Sequence, residues 1–350
     1  MKESKLTYLI DPLREMLYQF DVIIKGFRER SGLRIAAITC GMLPNEIAAC
    51  AGLLPLRLPF FAHGRCACEG LSMIEKIEEL YDCLVVPQGC AGKGAILVLP
   101  IPVHEFKAPQ GWGAQSYRLM EAALDELLQL FGGTGFRESD VDTLRAAVRE
   151  YNAVRRLVRG IASVRRGKPD LLSCRDLAVV FEAAAVLPPS IVIGYLAPIL
   201  DRLNDAASGC SGGMIPALAY ASFINDASIL DEIEEAGCLI VEDDFCSGRR
   251  QFEMSYDHES DNLIPEILDS FSYRPGCPSV RPAEERVELF YKMIKGEGVE
   301  LVIFLEDLCC GAKKRDIEAL RIRLMRSGVD PLVVSTADAV EKVRDYVATL

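Results

Sequence analysis

The stretch 299-VELVIFLEDLCCGAKK-314 is the clearest indication of the fold class of this chain. The apolar run Leu301–Leu305 is followed by two acids, two cysteines, a glycine and two lysines. A short apolar run that ends in a polar turn is typical of a buried strand in a parallel sheet. The sequence 81-YDCLVVPQGCAGK-93 repeats the pattern of strand, cysteine, small-residue turn and lysine. We therefore predict two equivalent strand–turn units, one in each half of the chain, with thiols at the ends of the strands.

Strand-like and helix-like segments alternate on both sides of a helical middle. Such alternation predicts βαβ units and parallel sheets. We expect an α/β protein with two Rossmann- or flavodoxin-like parallel-sheet domains that face each other, joined by a helical segment and preceded by an amphipathic helix. The predicted parts are the N-terminal helix (1–29), the first α/β domain (30–115), the helical connector (116–214) and the second α/β domain (215–350).

Composition narrows the function classes. Of the 350 residues 50% are apolar, and the net charge is −12. A strongly acidic chain disfavours nucleic-acid binding, which depends on neutralising phosphates. The apolar stretches are short or broken by proline and the N-terminus lacks a secretory pattern, so we expect a cytoplasmic protein with no membrane partner. The one basic run, 155-RRLVRGIASVRRGK-168, is interpreted as a solvated helix face.

Thirteen cysteines are the most informative count. An odd number in a cytoplasmic chain favours metal or redox chemistry over disulfides. Five lie in or beside apolar patterns and are expected to pack as small hydrophobes: Cys40, Cys50, Cys83, Cys174 and Cys238. Seven lie in loops or at strand ends and are candidate ligands: Cys66, Cys68, Cys90, Cys246, Cys277, Cys309 and Cys310. The remaining one, Cys210 in the stretch SGCSGG, is assigned to neither group. Thiolates suit zinc and iron-sulfur clusters alike, and no pair of CxxC motifs chooses between them.

Several segments together resemble the 2-hydroxyacyl-CoA dehydratase and benzoyl-CoA reductase family of iron-sulfur proteins. The resemblance runs from about Arg34 to Val334, and the order and spacing of the segments make it specific. The matching segments are 43-LPNEIAACAGLLPLRL-58, 82-DCLVVPQGCAGK-93, 230-LDEIEEAGCLIVEDDFCSGRR-250 and 273-YRPGCPSVRPAEERVELFYKMIKGEGVELVIF-304.

The resemblance implies a cofactor, its ligands and a partner. In the family two α/β domains enclose a [4Fe-4S] cluster held by three cysteines, which here correspond to one of Cys66 and Cys68, then Cys90, then Cys310. A separate ATP-hydrolysing iron-sulfur activator supplies a strongly reducing electron for acyl-CoA chemistry. This chain has no GxxxxGK[ST] loop, so ATP would belong to that partner. The assembly implied is a homodimer or a pair with a related second subunit.

Two other interpretations remain open. The double-cubane branch of the family carries an [8Fe-9S] cluster on six cysteines, acts as a homodimer and reduces small molecules. The cysteines of this chain that could meet that number are Cys66, Cys68, Cys90, Cys246, Cys277 and either Cys309 or Cys310. The chain also has Ala91 and Gly311 where the family usually has aspartates, and its C-terminal segment differs, which would suit a non-catalytic scaffold subunit.

Charged residues near these positions are further candidates. Glu46 matches an acidic position of the family and is interpreted either as an acid or base near substrate or as a charge that stabilises a helix N-terminus. The acids Glu242–Asp244 are expected either to surround the site or to cap the following helix. Lys313 and Lys314 either lower thiol pKa values near the site or lie in solvent.

Overall fold

The computed structural model describes most of the chain. Its described residues are 5–39, 41, 43–50, 52–58, 77–87, 99–107, 114–130, 141–207, 213–222, 224, 226–273, 277 and 283–349. The predicted ligands Cys66, Cys68 and Cys90 lie outside these residues.

The first sheet has a centre of short, buried apolar strands and a more exposed edge strand, β4 (Val103–Phe106). All of its strands are parallel, and their spatial order is β2-β1-β3-β4. Every residue of β2 and β3 is buried, as the continuous apolar runs predict for a parallel sheet covered by helices. The strands are β1 (Arg34–Ile38), β2 (Leu53–Arg57), β3 (Cys83–Pro87) and β4 (Val103–Phe106).

The second sheet repeats the topology of the first. Its order is β6-β5-β7-β8, again all parallel, so the second strand of each domain lies outside the first and the third lies on the other side. The prediction of an α/β protein with two parallel sheets is confirmed. The turn that follows β3 lies outside the described residues, so the equivalence of the two strand–turn units stays a prediction. The strands are β5 (Ile215–Tyr220), β6 (Cys238–Asp244), β7 (Leu301–Leu305) and β8 (Leu332–Val334).

Helices cover both sheets and fill the connection between them. Among the described residues, the N-terminal helices and four helices between the sheets follow the predicted order. The α-helices are α1 (Asp11–Tyr18), α2 (Phe20–Ser31), α3 (Asn45–Cys50), α4 (Ile77–Leu80), α5 (Ala114–Leu130), α6 (Val141–Gly167), α7 (Cys174–Val186), α8 (Pro189–Asp205), α9 (Ser228–Glu235), α10 (Leu263–Tyr273), α11 (Ala283–Gly296), α12 (Gly311–Arg326) and α13 (Ala339–Val347). None of the helices in the described ranges is long and apolar enough to cross a membrane.

The N-terminal amphipathic segment forms two helices where the sequence predicts one. The break falls at Gln19, whose backbone angles (φ −95°, ψ 21°) leave the helical region. The apolar side chains Leu13, Met16, Phe20 and Ile24 nevertheless keep a spacing of three or four residues across the break and enter one core. Burial of this shared face holds the two helices together.

The basic run 155–168 of α6 is only partly a solvated face, because Arg156 is exposed but two other arginines are not, and for those two the prediction is wrong. Arg155 and Arg165 are buried. Arg155 forms an ion pair with Glu46 of the first domain, and Arg165 pairs with Glu234 of the second and donates to the Ile240 carbonyl at 2.9 Å. A buried guanidinium requires such partners. The long helix α6 therefore ties the two domains to each other.

The carboxyl ends of the two sheets meet. Arg57, the last residue of β2, donates a hydrogen bond to the backbone carbonyl of Cys246, which lies just beyond β6. β2 and β6 are the second strands of their sheets, so the carboxyl ends of equivalent strands lie opposite each other. In open α/β sheets, ligands bind at the carboxyl ends of the strands.

Candidate functional site

Ser222 organises the carboxyl edge of the second sheet. It lies just after β5, the strand at which the direction of strand addition reverses, and it is fully buried. Its carbonyl accepts a hydrogen bond from the Cys246 N–H at 2.9 Å, and its hydroxyl accepts one from the Cys310 N–H at 2.8 Å. One residue thereby fixes the two loops that carry these cysteines. Sequence reasoning missed Ser222, although a small polar residue directly after a central strand was the available signal.

The adjacent cysteines after β7 have different environments. Cys309 is buried, packs beside Phe304, and donates its S–H to the Leu305 carbonyl at 3.3 Å. Burial raises the pKa of the Cys309 thiol to about 12. Cys310 is only half-buried and stands at the N-cap position of α12. Of the two, Cys310 is the thiol that a ligand or metal can reach.

Cys246 is held by contacts from both domains. Its carbonyl accepts hydrogen bonds from Arg57 of the first domain and from the Gln251 side chain at 2.8 Å. Its half-buried sulfur accepts a contact from Arg250 Nη2 at 3.8 Å. Burial opposes the charge of Arg250, but Asp244, Cys246 and the half-buried Cys277 together raise its pKa above the ordinary value. Two candidate thiols therefore lie close to one buried arginine.

Asp244 is the centre of a buried group of charges beside these thiols. Arg250 and Arg286 each donate to its carboxylate at 2.7 Å, and Lys313 Nζ lies 3.5 Å from Oδ2. Burial alone would raise the pKa of Asp244, but the three cations hold it far below its usual range. The carboxylate stays ionised and orders the side chains around the turn that carries Cys246.

Lys313 is fully buried, so the solvated interpretation of this lysine is wrong. It donates to the Ala221 carbonyl at 2.8 Å and lies 4.0 Å from the centre of the Tyr220 ring. The neighbouring Asp316 accepts from the Tyr220 hydroxyl at 2.7 Å and from Arg286 at 2.9 Å. In this group three cations, Arg250, Arg286 and Lys313, face two carboxylates, Asp244 and Asp316, which leaves an excess of positive charge beside the turn that carries Cys246.

The acids at the end of β6 have separate roles. Asp243 accepts hydrogen bonds from the N–H groups of Phe245 and Arg249 at 3.2 and 3.1 Å, and so shapes the turn around Cys246. Glu242 accepts from the Arg249 guanidinium at 2.7 Å. Asp243 thus shapes the turn, and Asp244 pairs with three cations, but the short helix Arg249–Gln251 that follows has no side-chain cap among the described residues. That these acids surround the site stays a prediction.

Glu46 lies on the first domain's side of the boundary between the domains. It is completely buried on α3, and its Oε1 accepts from Arg155, whose guanidinium lies 5.2 Å from the centre of the Tyr256 ring. Within the described part of the chain, Glu46 Oε2 has no hydrogen-bond partner. Arg155 and Tyr151 line a neighbouring cavity of about 50 Å³ between the domains. The role of Glu46 as an acid or base stays a prediction.

The described half of the site fits an anionic, thiolate-bound cofactor. Among the described residues no group of three or more Cys, His, Asp or Glu could hold a metal ion, and of the three implied cluster ligands only Cys310 is among them. Cys310 is an accessible thiol at the N-terminus of a 16-residue helix, whose dipole favours negative charge. The buried Lys313 and the partly buried Arg250 add to that preference.

These features define a class: two-domain α/β proteins that present cysteines where the carboxyl edges of two parallel sheets meet. The chain belongs to the family described as "2-hydroxyglutaryl-CoA dehydratase, D-component", whose profile matches residues 40–347. The resemblance inferred from the sequence is thereby confirmed. The descriptions of this family and of the relative below name components of acyl-CoA dehydratases and reductases, which supports an enzyme component.

A curated relative is similar to this chain over part of its length. It is a component of the benzoyl-CoA reductase of Thauera aromatica and is 25% identical, and the match covers 58% of this chain and 59% of that protein. The chain thus spans less than two thirds of the relative's length.

Proposed function

We propose that this protein is the cytoplasmic iron-sulfur component of an ATP-activated two-component system that uses a low-potential electron to dehydrate or reduce an acyl-CoA. The observation that carries the proposal is the position of Cys310. It is an accessible thiol at the carboxyl edge of the second sheet, fixed by Ser222, in a chain of the 2-hydroxyglutaryl-CoA dehydratase family. The family match supports the reaction class, and the surrounding positive charge supports an anionic cofactor.

The residues of the proposed site have two roles: cysteines bind the cofactor, and a buried lysine supplies positive charge beside it. Cys310, Cys90 and one of Cys66 and Cys68 would bind a [4Fe-4S] cluster. When bound, this group would supply one-electron chemistry to a thioester. The buried positive charge of Lys313 would offset the negative charge of the bound group.

Glu46 is proposed to hold or move a proton at Oε2, which has no hydrogen-bond partner among the described residues, while Oε1 pairs with Arg155. A separate ATP-hydrolysing iron-sulfur activator would provide the electron, and the protein would pair with a second copy or a related chain.

Iron quantitation after anaerobic purification tests the proposal. We expect roughly four iron atoms per chain and a brown protein. Cys310→Ala should lose iron. Cys309→Ala is the matched control and should keep its iron, because the Cys309 thiol is buried and donates a hydrogen bond to the Leu305 carbonyl. A colourless wild-type protein without iron would refute the proposal and favour a scaffold role.

A double-cubane reductase of small molecules is the second candidate. It is favoured by Cys246 and Cys277, the two half-buried thiols that interact with Arg250. A single cubane held by three cysteines would not need them. About eight iron atoms per chain, with loss of iron in Cys246→Ala and Cys277→Ala, would select this alternative.

A further inference from the structure

The exposed side of α12 is basic and partly apolar in a chain that is acidic overall. We call this side the α12 face. Its four cations stand against one acid, Glu318, whereas the whole chain carries a net charge of −12. The basic and apolar residues of the α12 face are Lys314, Arg315, Arg321, Ile322, Met325 and Arg326.

The apolar part of the α12 face lies toward its C-terminal end. Ile322 is 43% exposed and Met325 is 48% exposed, about one turn apart and flanked by Arg321 and Arg326. Methionine and arginine are enriched in protein–protein interfaces, where a few well-packed side chains contribute most of the binding energy. This pattern differs from a helix side that faces only water, where acids and lysines usually alternate.

The basic end of the α12 face adjoins the predicted cluster ligand. Cys310 precedes α12 directly, and the Lys314 N–H donates to the Cys310 carbonyl at 2.9 Å. The guanidinium of Arg315 folds back toward the same end, since its Nη1 lies 3.7 Å from where a Cβ on Gly311 would be. From Lys314 to Arg326 the helix extends about 18 Å. A partner bound along this face would therefore reach the turn that holds Cys310.

We propose that the α12 face is the docking surface for an acidic electron-donating protein. The inference rests on the proposed function, because only a redox component needs such a donor. Complementary charge steers two proteins together and fixes their orientation, and the apolar pair supplies contact area once they meet. Continuity with Cys310 favours an electron donor over a second copy of this chain, which has no need to approach that turn.

A charge-reversal pair tests the inference. The variant is R321E/R326E, and the matched control is R149E/R202E, which reverses two exposed arginines on α6 and α8. The probe is the ATP-hydrolysing iron-sulfur activator of a 2-hydroxyacyl-CoA dehydratase system, bound anaerobically with a non-hydrolysable ATP analogue in biolayer interferometry. We expect R321E/R326E to weaken binding about tenfold or more at low salt, with a smaller difference at about 0.5 M NaCl. The control should bind like wild type, and all variants should keep their iron.

The other outcomes each overturn the inference. Equal binding by R321E/R326E and wild type would exclude the α12 face as the donor site. A changed molar mass in light scattering with unchanged donor binding would make it a self-association surface. A changed half-saturation for acyl-CoA with unchanged donor binding would make it a coenzyme site. Iron-loaded wild type that binds no donor defeats this inference alone, whereas wild type without iron defeats the proposed function.

Discussion

The Ser222 hydroxyl accepts a 2.8 Å hydrogen bond from the backbone N–H of Cys310, 88 residues away in the sequence. This bond joins the segments that follow β5 and β7. In the strand order β6-β5-β7-β8, these are the two central strands, on either side of the point where strand addition reverses. Ser222 thereby sets the position of the thiol that we expect to bind the cluster.

Ser222→Ala should remove this support. A buried N–H left without its acceptor costs about 1–3 kcal/mol in the free energy of unfolding, and a misplaced Cys310 should lower the iron content after anaerobic purification. Thermal unfolding and iron analysis measure the two effects. Ser327→Ala, which removes an exposed hydroxyl bonded locally to Arg323, is the control. Wild-type stability and iron content in Ser222→Ala would contradict the prediction.

Glu242 should make stability depend on pH. Burial raises its pKa to about 8 from an ordinary value of 4.5, against the attraction of Arg249. Because the folded-state pKa is the higher one, its contribution to stability is complete below pH 4.5 and is lost as pH rises toward 8. Glu242→Gln does not titrate, so its melting temperature relative to wild type should rise between about pH 5 and pH 8, by about 2 °C or more.

The control for this series is Glu235→Gln, an exposed carboxylate at the end of α9. Its melting temperature should follow wild type at every pH. Parallel pH profiles for Glu242→Gln and wild type would show that Glu242 titrates alike in the folded and unfolded chains.

Gly248 leaves room for the acid that shapes the turn around Cys246. A Cβ at this position would lie 1.7 Å from Asp243 Oδ1, so Gly248→Ala must displace that buried carboxylate. Such overpacking should cost about 1–3 kcal/mol in the free energy of unfolding, measured by denaturant titration. Gly194→Ala is the control, since a Cβ there meets nothing within 4 Å inside α8 and should be neutral or stabilising. Equal stabilities would mean that the turn adapts freely.

The Glu46–Arg155 ion pair allows a test of the acid–base role. Glu46→Gln and Arg155→Met each leave a buried group without its charged partner and should cost about 3–5 kcal/mol. The double variant E46Q/R155M should lose less than the sum, since neither charge then remains. If Glu46 transfers a proton, turnover of the double variant should stay about 100-fold or more below wild type. Recovery of both stability and turnover would assign Glu46 a structural role only.

Local patterns were sufficient to predict the fold. The apolar runs that became β3 and β7, and the parallel between the segments around Cys90 and Cys310, depend on neighbouring residues alone. A continuous apolar run predicts a strand that is buried on both faces, and the alternation of strands and helices predicts parallel sheets. The sequence by itself thus determined the two-domain α/β fold and the placement of cysteines near strand ends.

Which charged and thiol side chains are buried, and which ion pairs they form, depends on the tertiary structure alone. It separated buried Cys309 from accessible Cys310 and enclosed Lys313 against Asp244, 69 residues away. It also turned Arg155 inward to meet Glu46 across 109 residues. The physical reason is that burying a charge is favourable only beside a specific partner, and that partner is brought close by chain folding, which no local pattern encodes.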